Sequence, residues 1–177
     1  VDEDGRITIP HFYDKVEEVP AAEREMIAQI PFDEQKYMDA IGVKQLKGEK
    51  GYSTLERNSC RPSFDVCGIW GGYTGEGSKT VLPSKAYAKV SCRLVPHQDH
   101  ETISQLFIDY INSIAPEYVQ VKVTPMHGGE GYVCPISLPA YQAAEKGFTK
   151  AFGKKPLAVR RGGSIPIISD FERILGI

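Results

Sequence analysis

No stretch of this sequence stays apolar for the ~20 residues that cross a bilayer, so nothing in it reads as a membrane span. An excess of either charge is missing too. With 21 Lys and Arg against 23 Asp and Glu the net charge is −2, and the balance gives no electrostatic case for nucleic acid. None of the four cysteines, Cys60, Cys67, Cys92 and Cys134, forms a Cys-x-x-Cys pair. A Cys60–Cys67 disulfide is open by spacing, but free thiols and a cytoplasmic protein are the favoured reading. There is no His-Glu-x-x-His, no Gly-x-Ser-x-Gly and no paired Cys and His with a supporting acid, which excludes the familiar self-contained catalytic motifs. Repeats and long low-complexity tracts are absent as well. No leader peptide opens the chain, but it starts at Val1 rather than Met, so that absence carries no weight.

What is there suits a globular protein. The 177 residues, 41% hydrophobic and 25% charged, suffice for one domain or one domain with a piece of another. Residues 1–62 are uneven. Ala21 to Ile30 and Asp33 to Ile41 fit short helices, and Gly48 to Ser59 is polar and loop-like. From Ser63 the pattern sharpens. Phe64 to Trp70 reads as a strand closed by Gly71-Gly72, and a Gly-rich loop follows. Lys85 to Val95 is the clearest strand. Ala86, Ala88, Val90, Cys92 and Leu94 share its buried face, while Tyr87, Lys89, Ser91 and Arg93 share the open one. Asp99 caps a helix bearing Ile103, Leu106, Phe107, Tyr110, Ile111 and Ile114, which Pro116 stops. Tyr118 to Pro125 reads as a strand with Val119, Val121 and Val123 on one face. The order predicts an α+β unit, a small antiparallel sheet with helices on one face.

His127-Gly128-Gly129 breaks that pattern as a hinge or linker. A helix from Leu138 to Phe152 follows, with Tyr141, Ala144, Phe148 and Phe152 inward and Gly153 at its C-terminal cap. Leu157 to Val159 reads as a short strand, and Ser164 caps a last helix with Pro166 in its first turn. This tail differs in type from the preceding unit and suggests part of a second domain.

Three places suit a carboxylate ligand. Arg93 on an open sheet face can make a two-point pair, though on pattern alone a solvent-facing arginine is the favoured reading. The loop around Thr80 has turn-forming glycines at 72, 75 and 77 but lacks the Gly-Lys-Ser/Thr of a phosphate loop, so it also fits a plain hairpin connection. Arg160, Gly162, Gly163 and Ser164 set a glycine turn and a hydroxyl at a helix start, where free N–H groups favour an anion; a structural turn with a capped helix fits as well. His97 and His100 lack a third metal ligand of usual spacing and read as exposed helix-cap residues. His127, beside two glycines, can swing into a site or serve only the linker.

The segments Gly75-Glu76-Gly77-Ser78-Lys79-Thr80-Val81-Leu82-Pro83, Arg93-Leu94-Val95-Pro96, His127-Gly128-Gly129 and Gly162-Gly163-Ser164-Ile165-Pro166 occur in the order and spacing of one family. Residues 63–177 closely resemble the carnosinase-like branch of the M-twenty zinc aminopeptidase and carboxypeptidase family, and residues 1–62 resemble its variable insert. The resemblance implies a lid domain with a four-stranded antiparallel sheet and two helices on one face, ferredoxin-like in arrangement. It implies a lid core over 63–133 and a partial return of an α/β catalytic domain over 134–177. The lid would form a homodimer. Thr80 would bind substrate in the partner subunit's active site, while Arg93 and Ser164 would hold the dipeptide and its terminal carboxylate. His127, Arg160, Gly162 and Gly163 match further substrate-binding positions of the family.

The family's two zinc ions, for which manganese or cobalt can stand, are held by a His-x-Asp, a bridging aspartate, a Glu-Glu pair and a late histidine at positions that the resemblance places outside this stretch. The expectation is therefore a fragment of a metal-dependent dipeptidase, inactive alone, with no catalytic residue and no metal ligand of its own. The alternative is a dimerisation or small-carboxylate-binding module without chemistry.

Overall fold

The computed structural model describes residues 1–160, 165 and 167–176. Helix α1 (Ala21–Ala28) and helix α2 (Glu34–Ile41) fall where the sequence places them. Asp33 caps α2 by accepting from the Lys36 N–H at 3.0 Å, and Gly42 ends it in the left-handed conformation at φ 72°. The stretch read as loop holds a third helix, α3 (Thr54–Ser59). Its signature was in the sequence: Ser53 and Glu56 form a reciprocal capping box. Six residues are too few for helical periodicity, and the polar composition masked the cap.

Strands β1 (Ser63–Gly71) and β2 (Ala86–Arg93) pair antiparallel, from Ser63 opposite Arg93 to Gly71 opposite Ala86. The register slips between Val66 and Gly68, leaving Cys67 as a bulge. Among the described residues the sheet has these two strands, not four. Residues 118–125 form no ladder, and Val119 and Val121 are 45% and 41% exposed. Residues 157–159 are not a strand either. Alternation predicts which face a segment would bury but supplies no neighbouring strand, and without one the backbone has no ladder to join. The apolar face of β2 is covered only toward its end: Val90, Cys92 and Leu94 are half-buried, Ala86 and Ala88 exposed.

Helix α4 (His100–Ile114) is capped by Asp99, which accepts from the Thr102 N–H at 2.7 Å. It presses Ile103, Leu106, Phe107 and Tyr110 onto the core, while Ile114 is left exposed. The core itself comes largely from the first segment. Ile7, Ile9, Phe12 and Ile103 form its buried centre, with Tyr13, Phe64, Cys92 and Leu94 packed around them. Gln98 is fully buried and ties the two parts together: its amide donates to the Phe12 carbonyl at 2.9 Å and its carbonyl accepts from the Val95 N–H at 3.0 Å. Both halves of the amide are thus satisfied, as burial demands.

Helix α5 (Pro139–Phe152) ends at Gly153 with φ 69°, as its sequence indicates. Its expected inward face is not covered. Phe148 and Phe152 stack on each other at 5.9 Å and remain 53% and 73% exposed. Helix α6 (Ile167–Leu175) carries a comparably bare apolar side, with Ile174 71% exposed. The proposed cap Ser164 and first-turn Pro166 lie outside the described residues, as do Gly162 and Gly163. No described helix is long and apolar enough to cross a membrane.

Candidate functional site

A cleft of about 540 Å³ opens where the first segment, the chain just after β2 and the stretch around residues 130–133 meet, with Arg160 and Glu172 closing it. Its walls include Glu18, Cys60, Val95, Gly131, Tyr132 and Arg160. Two close approaches of glycine backbone lie at this wall and beside it. A Cβ at Gly131 would lie 2.8 Å from the Val95 carbonyl carbon, and one at Gly128 would lie 2.4 Å from the His100 ring. Only glycine lets the 128–131 stretch lie this close to residues 95–100. His127 is therefore held one residue from a contact on α4, and Arg93 two residues from a contact under the same loop. The imidazole Nδ1 of His100 is buried there without a hydrogen-bond partner among the described residues. His97 is exposed, takes φ 69° and faces Glu17 at 3.4 Å.

An ionic node stiffens the wall behind α3. Arg61 and Glu49 are both buried and make two parallel bonds of 2.7 Å. Arg61 also stacks over Tyr52 at 4.3 Å, and Arg24 bonds Glu56 at 2.5 Å. Tyr52 donates to Glu18 at 2.6 Å, and burial first, then that bond, pushes its hydroxyl up to about 12. Burial raises the Cys60 thiol as well, outweighing the Ser59 hydrogen bond and the nearby Arg160 charge. All four cysteines are free, and the Cys60–Cys67 bridge left open by spacing is not formed. Burial likewise pushes the Cys92 thiol up to about 11, so neither sulfur is primed as a nucleophile.

The sequence-predicted residues divide three ways. Arg93 ends β2, exposed, and its guanidinium has no hydrogen bond or ion pair among the described residues. His127 is exposed beside the cleft loop. Arg160 lines the cleft and is half-buried, but Glu23 of α1 already holds it, with Nη2 donating to Oε2 at 2.7 Å and Nε donating to Oε1. Thr80 is brought to none of these. It sits in the exposed loop of residues 72–85, beyond the Gly71–Ala86 end of the ladder. In that loop Lys79 lies over the Tyr73 ring at 4.7 Å and Tyr73 donates to the Glu76 carbonyl at 3.0 Å. Glu23 escaped sequence reasoning. It stands 137 residues from Arg160, and no local pattern links them. Among the described residues no three His, Cys, Asp or Glu side chains gather where they could hold a metal ion.

Comparison with known proteins places the chain in a family. A family model described as a peptidase dimerisation domain matches residues 13–119. The Cys-Gly metallodipeptidase dug1 of Schizosaccharomyces pombe is 29% identical over 97% of this chain and 37% of its own length. The Beta-Ala-His dipeptidase of Homo sapiens is 28% identical over 99% of this chain and 35% of its own. Among solved structures, an M20 family metallo-carboxypeptidase from Sulfolobus solfataricus matches with a TM-score of 0.85 at 29% identity, over all of this chain and 40% of that one. Human carnosine dipeptidase 1 matches at a TM-score of 0.79 and 27% identity, over 99% of this chain and 38% of that one. The chain thus spans little more than a third of the curated relatives it matches.

Proposed function

This chain belongs to the peptidase dimerisation-domain family, and from that premise we propose that it is the lid and dimerisation part of a metal-dependent dipeptidase. In this reading residues 1–62 are an insert on the lid, 63–133 its core and 134–177 a return into the catalytic domain. The enzyme is a cytoplasmic homodimer whose zinc ions are held by residues outside the described ones. Relatives named for cleavage of Cys-Gly and of Beta-Ala-His make short dipeptides the substrate class. The lid's four-stranded sheet would be completed along the unpaired edges of β2 and residues 118–125, whose alternating valines suit a pleated partner.

The observation that carries this reading is the placement of Arg93 and Thr80 on one hairpin. Arg93 lies at the Ser63 rung, while the Thr80 loop re-enters the sheet at Ala86, on the Gly71 rung. Those seven residues span roughly 24 Å of strand, against about 7 Å for an extended dipeptide. The Thr80 loop thus leaves the sheet at the end far from Arg93, an arrangement that suits a site shared between two copies related by symmetry. Arg93 and Ser164 then hold the substrate carboxylate in their own subunit, Thr80 reaches into the partner's site, and His127, Gly162 and Gly163 shape the pocket around it. A charge-paired carboxylate favours very short peptides, because a longer chain puts an amide where the charge belongs.

The test is hydrolysis of Cys-Gly and Beta-Ala-His by the full-length protein, with and without chelator, beside its Arg93→Ala variant. Chelator-sensitive hydrolysis, with kcat/KM reduced at least tenfold by the substitution, is the expected result. A full-length protein silent on a broad dipeptide panel in the presence of metal would replace this reading with a non-catalytic dimerisation or carboxylate-binding module.

A further inference from the structure

The β1–β2 hairpin is held to the core at one end only. Phe64, Cys92 and Leu94 pack there, and the Phe64 ring faces Phe107 of α4 at 5.9 Å. Beyond that rung both faces open. On one, the pairing sets Val66 beside Val90 and Ile69 beside Ala88, and Val66 and Ile69 are 59% and 80% exposed. On the other, Trp70 stacks on Tyr87 at 5.1 Å with both rings exposed, and the Lys89 ammonium lies over the Trp70 ring at 5.9 Å. Lys89 is the one charged side chain in the stretches 66–71 and 86–90. A two-stranded ribbon bare on both faces is marginal in water, and a contiguous apolar patch of this kind marks a contact surface.

Three observations select what covers it. The region matched as a dimerisation domain, residues 13–119, contains the whole hairpin and stops before the exposed apolar sides of α5 and α6. Aromatic and aliphatic side chains with a single charge make the composition of an interface centre. Such a patch can meet its own copy across a two-fold axis with little like-charge opposition, since Lys89 is already turned onto Trp70. Finally, the free end of this arm carries the loop of residues 72–85, which the reading above sends to the partner subunit, so the arm continues that contact. We propose that the outer half of the hairpin, residues 66–71 and 86–90, is the surface on which a second copy of this chain docks, through its faces rather than its edges. The proposal rests on the dimer of the reading above, and the experiment separates it from the dipeptidase activity.

The arm carries its own probe. Cys67, in the bulge, is free and exposed. The full-length parent and its Ile69→Asp variant are followed through a dilution series by sedimentation, and Cys67 alkylation by iodoacetamide is timed at each concentration. In the parent, alkylation should be about tenfold slower in the dimer than in the dissociated chain, because a packed interface excludes solvent. Ile69→Asp should weaken dimerisation at least about a hundredfold, since each copy then buries an unpaired carboxylate, and should show the fast rate where the parent shows the slow one. A variant that dimerises as the parent does overturns the proposal and moves docking to another surface. Cys67 alkylated equally slowly after dissociation also overturns it, because the rest of the same polypeptide then covers the arm. Equally fast alkylation in dimer and monomer does so too. If Ile69→Asp fails to fold, the parent's dilution series decides alone. Dipeptide hydrolysis is measured on the same parent: a silent dimer that shields Cys67 loses the dipeptidase reading and keeps the arm, and an active parent that leaves Cys67 open does the reverse.

Discussion

Arg61 carries its charge in a site where its side chain is 2% exposed, and Glu49 makes that tolerable at 9%. The pair needs both members. Removing one carboxylate strands a guanidinium in a poorly solvated place, which typically costs about 3–5 kcal/mol. Glu49→Ala should therefore lower the denaturant midpoint sharply, and the double change Glu49→Leu with Arg61→Met should lower it much less. Equal losses in the single and double variants would mean that the pair is not the keystone its burial indicates. Two other carboxylates set the acid limit. The Thr102 hydroxyl and N–H hold Asp99 below its ordinary 3.8. Burial alone would raise Glu56, but its bonds to Arg24 and Ser53 prevail and leave it below 4.5. Both folded values are depressed, so their contribution is complete above the unfolded values and is lost as pH falls through the folded ones. Thermal midpoints should be insensitive to these two groups from pH 7 to pH 5 and decline below about pH 4. Asp99→Asn should flatten part of that decline.

Among the elements, those set by local chemistry were legible before any coordinates. The Asp99 cap, the Gly153 stop and the two strands of the hairpin are each specified by a few neighbouring residues, and the structure keeps all of them. Elements that depend on a distant partner were not. Among the described residues, 118–125 have strand alternation and no strand beside them, and α5 has an apolar stripe that leaves Phe148 and Phe152 exposed. Side chains show the same division: the exposed place of Arg93 at the end of β2 was legible from the strand pattern, whereas the Glu23 contact that occupies Arg160 was not, because it joins segments that no pattern relates. The glycines of the cleft loop permit a sharp comparison. Gly131→Ala forces a Cβ against the Val95 carbonyl carbon, backbone that has no rotamer to yield, and should cost about 1–3 kcal/mol. Gly147, within α5, has nothing within 4 Å of a built Cβ. Gly147→Ala should gain roughly 0.5–1 kcal/mol from helix propensity. Unfolding midpoints falling in the same direction for both would sink the argument from close approach.

For the whole molecule, the proposed dimeric dipeptidase, with Thr80 reaching into the partner's site, makes a prediction that a monomer cannot meet. Full-length Arg93→Ala and Thr80→Ala are each expected to be poor enzymes. Mixed and allowed to exchange subunits, they should recover about a quarter of wild-type activity, since half the dimers are mixed and each mixed dimer has one site with both residues intact. No recovery despite proven exchange would place both residues on the same subunit's site.

The buried Gln98 amide spans 86 residues to reach the Phe12 carbonyl. That one bond also sets a schedule for biosynthesis. Ile7, Ile9 and Phe12 leave the ribosome with no core to enter, because Ile103 and the helix that bears it have yet to be made. At typical elongation rates of about 5–20 residues per second, this interval lasts roughly 5–20 s. Nascent chains arrested before residue 98 should be cut readily by protease around residues 7–12, and chains arrested well beyond α4 should resist there. Residues 7–12 are thus a stretch that the cell must shelter while it waits for sequence made later.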